Sequence, residues 1–128
     1  MKHYLLAIDI STSRRHENFE DMNLKAIEAV ISEMETKKNF ALHVLGYDLG
    51  VFNHEVFLPK GLDRLRDYKI TFGGVEGSYL ESVTTYMAGI GVKLHRMFLL
   101  TDENQDGVRM PCRTTVILER DQKELVYR

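Results

Sequence analysis

The chain has 128 residues, of which 44% are hydrophobic and 28% charged, with a formal net charge of −2. That length makes a single domain, 1–128, able to bury a core, and the composition excludes a disordered chain. A balance so near neutral leaves no electrostatic footprint for nucleic acid or an acidic membrane; the one short basic run, Arg64-Leu65-Arg66, is flanked by Asp63 and Asp67.

Cys112 is the single cysteine, which excludes an intrachain disulfide and a cysteine-based metal knuckle. No basic leader precedes a signal-type apolar run, and the apolar runs are too short to span a bilayer. These features predict a cytoplasmic protein with no membrane or nucleic-acid partner.

Residues 3–10 (HYLLAIDI) form a short, nearly continuous apolar run, the pattern of a strand buried on both faces of a parallel sheet. A polar stretch follows. Leu24, Ile27, Val30, Ile31 and Met34 then recur at steps of three and four, the stripe of an amphipathic helix, with Lys37 and Lys38 closing its last turn. Residues 40–47 (FALHVLGY) are a second apolar strand. Asp48-Leu49-Gly50 is a turn, residues 51–58 a third strand, and the two strands form a hairpin ended by Pro59-Lys60-Gly61. Residues 62–69 are amphipathic and short.

Gly73-Gly74 marks a tight loop. Ser78 and Glu81 have the spacing of a capping box, in front of a helix that carries Leu80, Val83 and Met87 on one face and stops at Gly89 and Gly91. Val83, Thr84 and Thr85 are β-branched, so this helix depends on tertiary packing. Residues 94–101 (LHRMFLLT) and 114–119 (TTVILE) are the fourth and fifth strands, joined by a polar loop with Asp106-Gly107 and Pro111; residues 121–128 end the chain as a turn and a short strand. A buried strand followed by a crossover helix implies a right-handed βαβ unit. The fold class is therefore α/β: a doubly wound, mostly parallel, Rossmann-like sheet with one antiparallel edge hairpin. Ligands of such sheets bind beyond the carboxyl ends of the strands, which brings Asp9 and Asp102 to one edge.

The loop leaving the first strand reads Asp9-Ile10-Ser11-Thr12-Ser13, a D-x-S-x-S pattern. Alternate positions at a strand end point the same way, so a carboxylate and two hydroxyls converge, and Asp102 adds a second carboxylate. An oxygen-only set of this kind suits a hard cation such as Mg²⁺ or Mn²⁺. On the residues alone the loop also reads as a turn in which the serines satisfy backbone groups and Asp9 caps the next helix.

These motifs resemble the von Willebrand factor A (VWA) domain and its metal-ion-dependent adhesion site. The D-x-S-x-S loop is similar to that family's first metal loop, and Met97-Phe98-Leu99-Leu100-Thr101-Asp102 to its later strand ending in Thr-Asp. Ile70-Thr71-Phe72-Gly73-Gly74-Val75 stands where the family has its middle loop, and Leu45-Gly46-Tyr47-Asp48 resembles its second strand. The resemblance spans residues 3–120 and implies Asp9, Ser11, Ser13 and Asp102 as metal ligands. It departs at Val75, which replaces the family's threonine ligand; Thr71 and Ser78 are the hydroxyls near enough in sequence to stand in. The final helix–strand pair of the family is also missing. The resemblance implies a non-enzymatic protein-interaction module that holds a partner's carboxylate through the ion, or a metal-free structural or assembly domain on the same fold. Intracellular relatives that act beside ring-shaped ATPases imply, by analogy, an AAA+ ATPase as a partner.

Two other readings compete. Asp102-Glu103-Asn104-Gln105-Asp106-Gly107 matches the start of a calcium loop through Asp102, Asn104 and Asp106, but Arg113 stands at the twelfth position, where Ca²⁺ needs a bidentate glutamate. A metal-dependent nuclease or phosphotransferase built on Asp9 needs a second carboxylate from Asp48 or Asp102, and a hairpin where this chain has a helix. His16, His43, His54 and His95 share no short ligand spacing, and His43 and His95 read as core or edge histidines. Phe52, Phe57 and Tyr47 by the hairpin read as packing under the sheet.

Overall fold

The computed structural model describes residues 1–70 and 75–128. Six strands form one sheet in the order β3-β2-β1-β4-β5-β6. They are β1 (Lys2–Asp9), β2 (Phe40–Tyr47), β3 (Val51–Phe57), β4 (Leu94–Thr101), β5 (Arg113–Arg120) and β6 (Glu124–Tyr127). The central pairs β2–β1, β1–β4 and β4–β5 are parallel. The outer pairs β2–β3 and β5–β6 are antiparallel, so the expected edge hairpin has a second antiparallel pair at the opposite edge. Both antiparallel pairs follow from short connections, which cannot carry a parallel crossover.

Helices α1 (Phe19–Met34) and α2 (Leu80–Gly89) cover opposite faces. Side chains alternate along each strand, so the two faces divide the apolar residues cleanly. Leu6, Ile8, Leu42, Val44, Phe98 and Leu100 meet Ala26, Ile27, Val30, Ile31 and Met34 of α1. A run of 3-10 turns over Pro59–Asp67 adds Leu62 and Leu65 to that side. Leu5, Ala7, Leu45, Tyr47, Met97 and Leu99 meet Val83 and Met87 of α2. β1 and β4 pair over Tyr4–Ile8 and Arg96–Leu100, which makes the first and fourth strands neighbours as the sequence predicts.

Four local expectations change. α1 ends at Met34, so Lys37 and Lys38 lie beyond its last turn. Its N-cap is Asn18, so Asp9 does not cap it. The capping box at Ser78 does not form, because the cap of α2 is Tyr79 and the serine hydroxyl is used elsewhere. Phe52, expected under the sheet, is about half exposed, whereas Phe57 and Tyr47 are buried. Gly46 in β2 accommodates a close approach: a Cβ there would run into the Ile70 side chain.

Candidate functional site

The register places Asp9 at the carboxyl end of β1 beside Tyr47 of β2. Asp9, Tyr47 and Thr101 belong to the alternation that faces α2, so their side chains meet on that side of the sheet edge. Asp9 is fully buried. Its Oδ1 accepts the Ser11 backbone N–H at 2.9 Å, and its Oδ2 accepts the Thr101 hydroxyl at 2.6 Å and the Ser78 hydroxyl at 3.2 Å. The Ser11 and Ser13 hydroxyls lie 3.1 Å apart on the short 3-10 turn Thr12–Arg14 and its flank. A carboxylate offers about four lone-pair positions, so the three donors leave Asp9 one further position.

Val75 comes to this loop as the resemblance implies, its carbonyl accepting the Thr12 N–H at 3.3 Å. Valine contributes no side-chain oxygen there, and the hydroxyl that reaches Asp9 from this side is that of Ser78. Thr71 lies outside the described residues. Asp102 follows Thr101 at the same edge, and its Oδ1 is buried without a hydrogen-bond partner among the described residues. The neighbouring Glu103 carboxyl is pushed up by burial first, then by the charges of Asp9 and Asp102. Burial and the Asp9 charge likewise push the Tyr47 phenol up. The edge is thus an acceptor-rich site where the carboxyl groups of Asp9, Asp102 and Glu103 lie near one another.

The Arg14 guanidinium is fully buried and donates to the Asp9 carbonyl at 2.9 Å, but its charge faces Glu119, whose Oε1 it meets at 3.0 and 3.3 Å. Glu119 Oε2 lies 3.0 Å from His16 Nε2. His16 Nδ1 accepts the Asn18 N–H at 3.1 Å, so the ring proton sits on Nε2 and donates to Glu119. The D-x-S-x-S loop is therefore tied to β5 by a buried Arg14–Glu119–His16 set.

Of the residues singled out in the sequence, Asp9, Ser11, Ser13, Ser78 and Asp102 lie at this edge. Asn104 accepts the Asp106 N–H at 2.9 Å in an exposed local turn. Asp48 is buried with Oδ1 accepting the Gly50 N–H at 3.0 Å, which shapes the hairpin turn. Among the described residues no three His, Cys, Asp or Glu side chains form a metal-holding cluster; the side-chain groups that reach the Asp9 carboxylate are hydroxyls. Sequence reasoning missed Thr101, Tyr47, Arg14 and Glu119. The strand alternation that selects Asp9 also selects Thr101 and Tyr47, but no local signal pairs Arg14 with a glutamate 105 positions away.

Exchanging the Asp9 carboxylate for the neutral amide, Asp9→Asn, is expected to lower the Glu103 pKa towards its ordinary range. Carbon-detected NMR titration of Glu103 checks this; an unchanged titration would show that burial and Asp102, not Asp9, hold it up.

The six-stranded α/β sheet, with a D-x-S-x-S loop and a Thr-Asp strand end at one edge, has a VWA-type fold. Solved structures bear this out for the fold. The chain is similar over 94% of its length to a von Willebrand factor type A protein from Catenulispora acidiphila (TM-score 0.59, 12% identity, 39% of that chain). It is similar over its whole length to the conserved hypothetical protein BatB from Bacteroides thetaiotaomicron (TM-score 0.56, 13% identity, 75% of that chain). The vWF domain of the type V pili tip protein Mfa5 from Porphyromonas gingivalis matches 90% of it (TM-score 0.52, 16% identity, 39% of that chain). No protein-family model and no curated protein matches the sequence. Among the described residues, no helix is long and apolar enough to cross a membrane.

Proposed function

We propose that the chain is a non-enzymatic protein-interaction module whose Asp9 edge takes a Mg²⁺- or Mn²⁺-type ion, through which a carboxylate of a partner protein is held. The observation that carries this reading is the buried Asp102 Oδ1, without a hydrogen-bond partner among the described residues, close to a Glu103 carboxyl pushed up by burial first and then by the charges of Asp9 and Asp102. A buried, uncompensated acceptor is costly, and a hard cation is the ligand that relieves it. Asp9, Ser11, Ser13 and Asp102 would hold the ion, with Ser78 as the hydroxyl on the side where Val75 offers none. The ion would supply positive charge and an open coordination position for the partner's acidic side chain. The pilus-tip protein Mfa5, with a vWF domain of the same fold, is consistent with an assembly role.

Titrating Mg²⁺ or Mn²⁺ against thermal unfolding tests the reading. An ion that binds only the folded chain stabilises it by about 2.7 kcal/mol at a hundred times its Kd, which raises the Tm by roughly 10 °C in a domain of this size. Asp9→Ala is expected to abolish the rise. No rise in the unaltered chain would sink the metal reading and leave the metal-free assembly domain in its place.

A further inference from the structure

On the α2 face, towards the opposite end of the sheet from Asp9, three histidines from three adjacent strands stand in one hydrogen-bonded line. His3 Nδ1 of β1 lies 3.0 Å from His43 Nε2 of β2. His43 Nδ1 lies 2.9 Å from His54 Nε2 of β3, and His54 Nδ1 lies 2.7 Å from the Tyr86 hydroxyl of α2. His43 is buried, and the three other groups are partly buried. The line joins the sheet to the helix.

Counting protons shows what such a line tolerates. A neutral imidazole has one ring proton, donating at one nitrogen and accepting at the other. Three neutral rings therefore satisfy all three links, with every proton pointing towards Tyr86 or every proton away from it. Each of the two His–His links holds one proton, His54 Nδ1 holds a third against the tyrosine oxygen, and the outer His3 nitrogen holds a fourth. Three rings with one added proton carry four, so the line survives. A second added proton has no place except within a link already filled, and two N–H groups then face each other.

We propose that this line is an acid-sensitive clasp that keeps α2 docked while the three rings share at most one added proton: a second proton opens a His–His link, and repulsion between the two charged rings displaces His54 and with it the Tyr86 contact that holds α2. The charges acting on His43 are those of His54 and His3, both adverse to a further proton, while Tyr86 is the titratable group that α2 turns to the line. Glu55, the next residue of β3, lies on the other face, where its charge acts on Tyr68. Burial, with these two neighbours, holds the His43 imidazole down at about 4. α2 is suited to release: it has ten residues, buries only Val83 and Met87, and is too short to be stable alone. Ser78, which donates to Asp9, precedes it by two positions, so undocking α2 also loosens the Asp9 edge. The clasp does not depend on the metal reading, and metal-free protein tests it.

Hydrogen exchange of the intact chain between pH 7 and pH 4.5, corrected for intrinsic exchange, is the test. Amides of α2 are expected to lose protection by about tenfold per pH unit once the second proton is required, while those of α1 keep theirs. His43→Gln, whose amide does not titrate, is expected to hold α2 protection level over the same range. Should that variant not fold, ring ¹⁵N NMR of the unaltered chain reads the same event: the second protonation must coincide with loss of α2 protection. Parallel loss in α1 and α2, or intact α2 protection with two or more of the rings charged, would overturn the proposal.

Discussion

Glu119→Ala is expected to lower the unfolding free energy by about 3–5 kcal/mol, the cost of leaving a buried charge without its partner. Glu119 and Arg14 are both fully buried in their side chains, and both oxygens of the carboxylate are engaged, one by Arg14 and one by His16. Removing the carboxylate strands the Arg14 guanidinium, which among the described residues keeps the Asp9 carbonyl and the face of Phe19, 5.1 Å from its ring centre. Domains of this size are stable by only about 5–15 kcal/mol, so the loss is a large fraction of the whole. Glu119→Gln, which keeps an acceptor for one partner, is expected to cost less. The double replacement Arg14→Met with Glu119→Leu is expected to recover much of the loss, because an apolar pair of similar volume carries no desolvation cost. Urea denaturation midpoints, with the slope checked for constancy, measure all three. A cost below about 1 kcal/mol for Glu119→Ala would mean that water reaches the pair and screens it.

The second large effect is on pH. Stability is expected to be full above about pH 6.5 and to fall as the pH drops towards 4, the interval between the ordinary histidine value and that of buried His43. The sign follows from proton counting: across that interval the unfolded chain binds a proton at residue 43 that the folded chain refuses, so acid favours unfolding. His54, held down by burial, acts in the same direction. The interval corresponds to a ceiling of about 3 kcal/mol, reduced to roughly 1–2 kcal/mol by the water that reaches the partly exposed ends of the line. Glu103 opposes it at the acid end, because a carboxyl pushed up binds its proton more readily in the folded chain and gains stability as the pH falls. Chemical denaturation at half-unit steps from pH 7.5 to 4.5, on the unaltered chain and on His43→Gln, separates the histidine contribution as the difference between the two curves. Coincident curves would show that residue 43 does not govern the acid limb.

The amino-acid sequence by itself determined the architecture. Residues 3–10, 40–47 and 94–101 are apolar on both alternations, and only a sheet covered on both faces buries both sets. The stripe from Leu24 to Met34 then demanded a covering helix, and chain order made the first and fourth strands neighbours. The same chain-order logic reached the edge where Asp9 and Asp102 lie, since they stand at the ends of the two central strands. What it did not decide is the set of partners across the sheet. Ser78 looked like a cap from its spacing to Glu81, and tertiary packing gave its hydroxyl to Asp9, a stronger, charged acceptor. Arg14 and Glu119, and His3, His43 and His54, are far apart in the chain and carry no mutual signal in it. Their ion pair and hydrogen-bonded line exist because strand register and pleat set their side chains at contact distance, and burial then makes each polar group require the other.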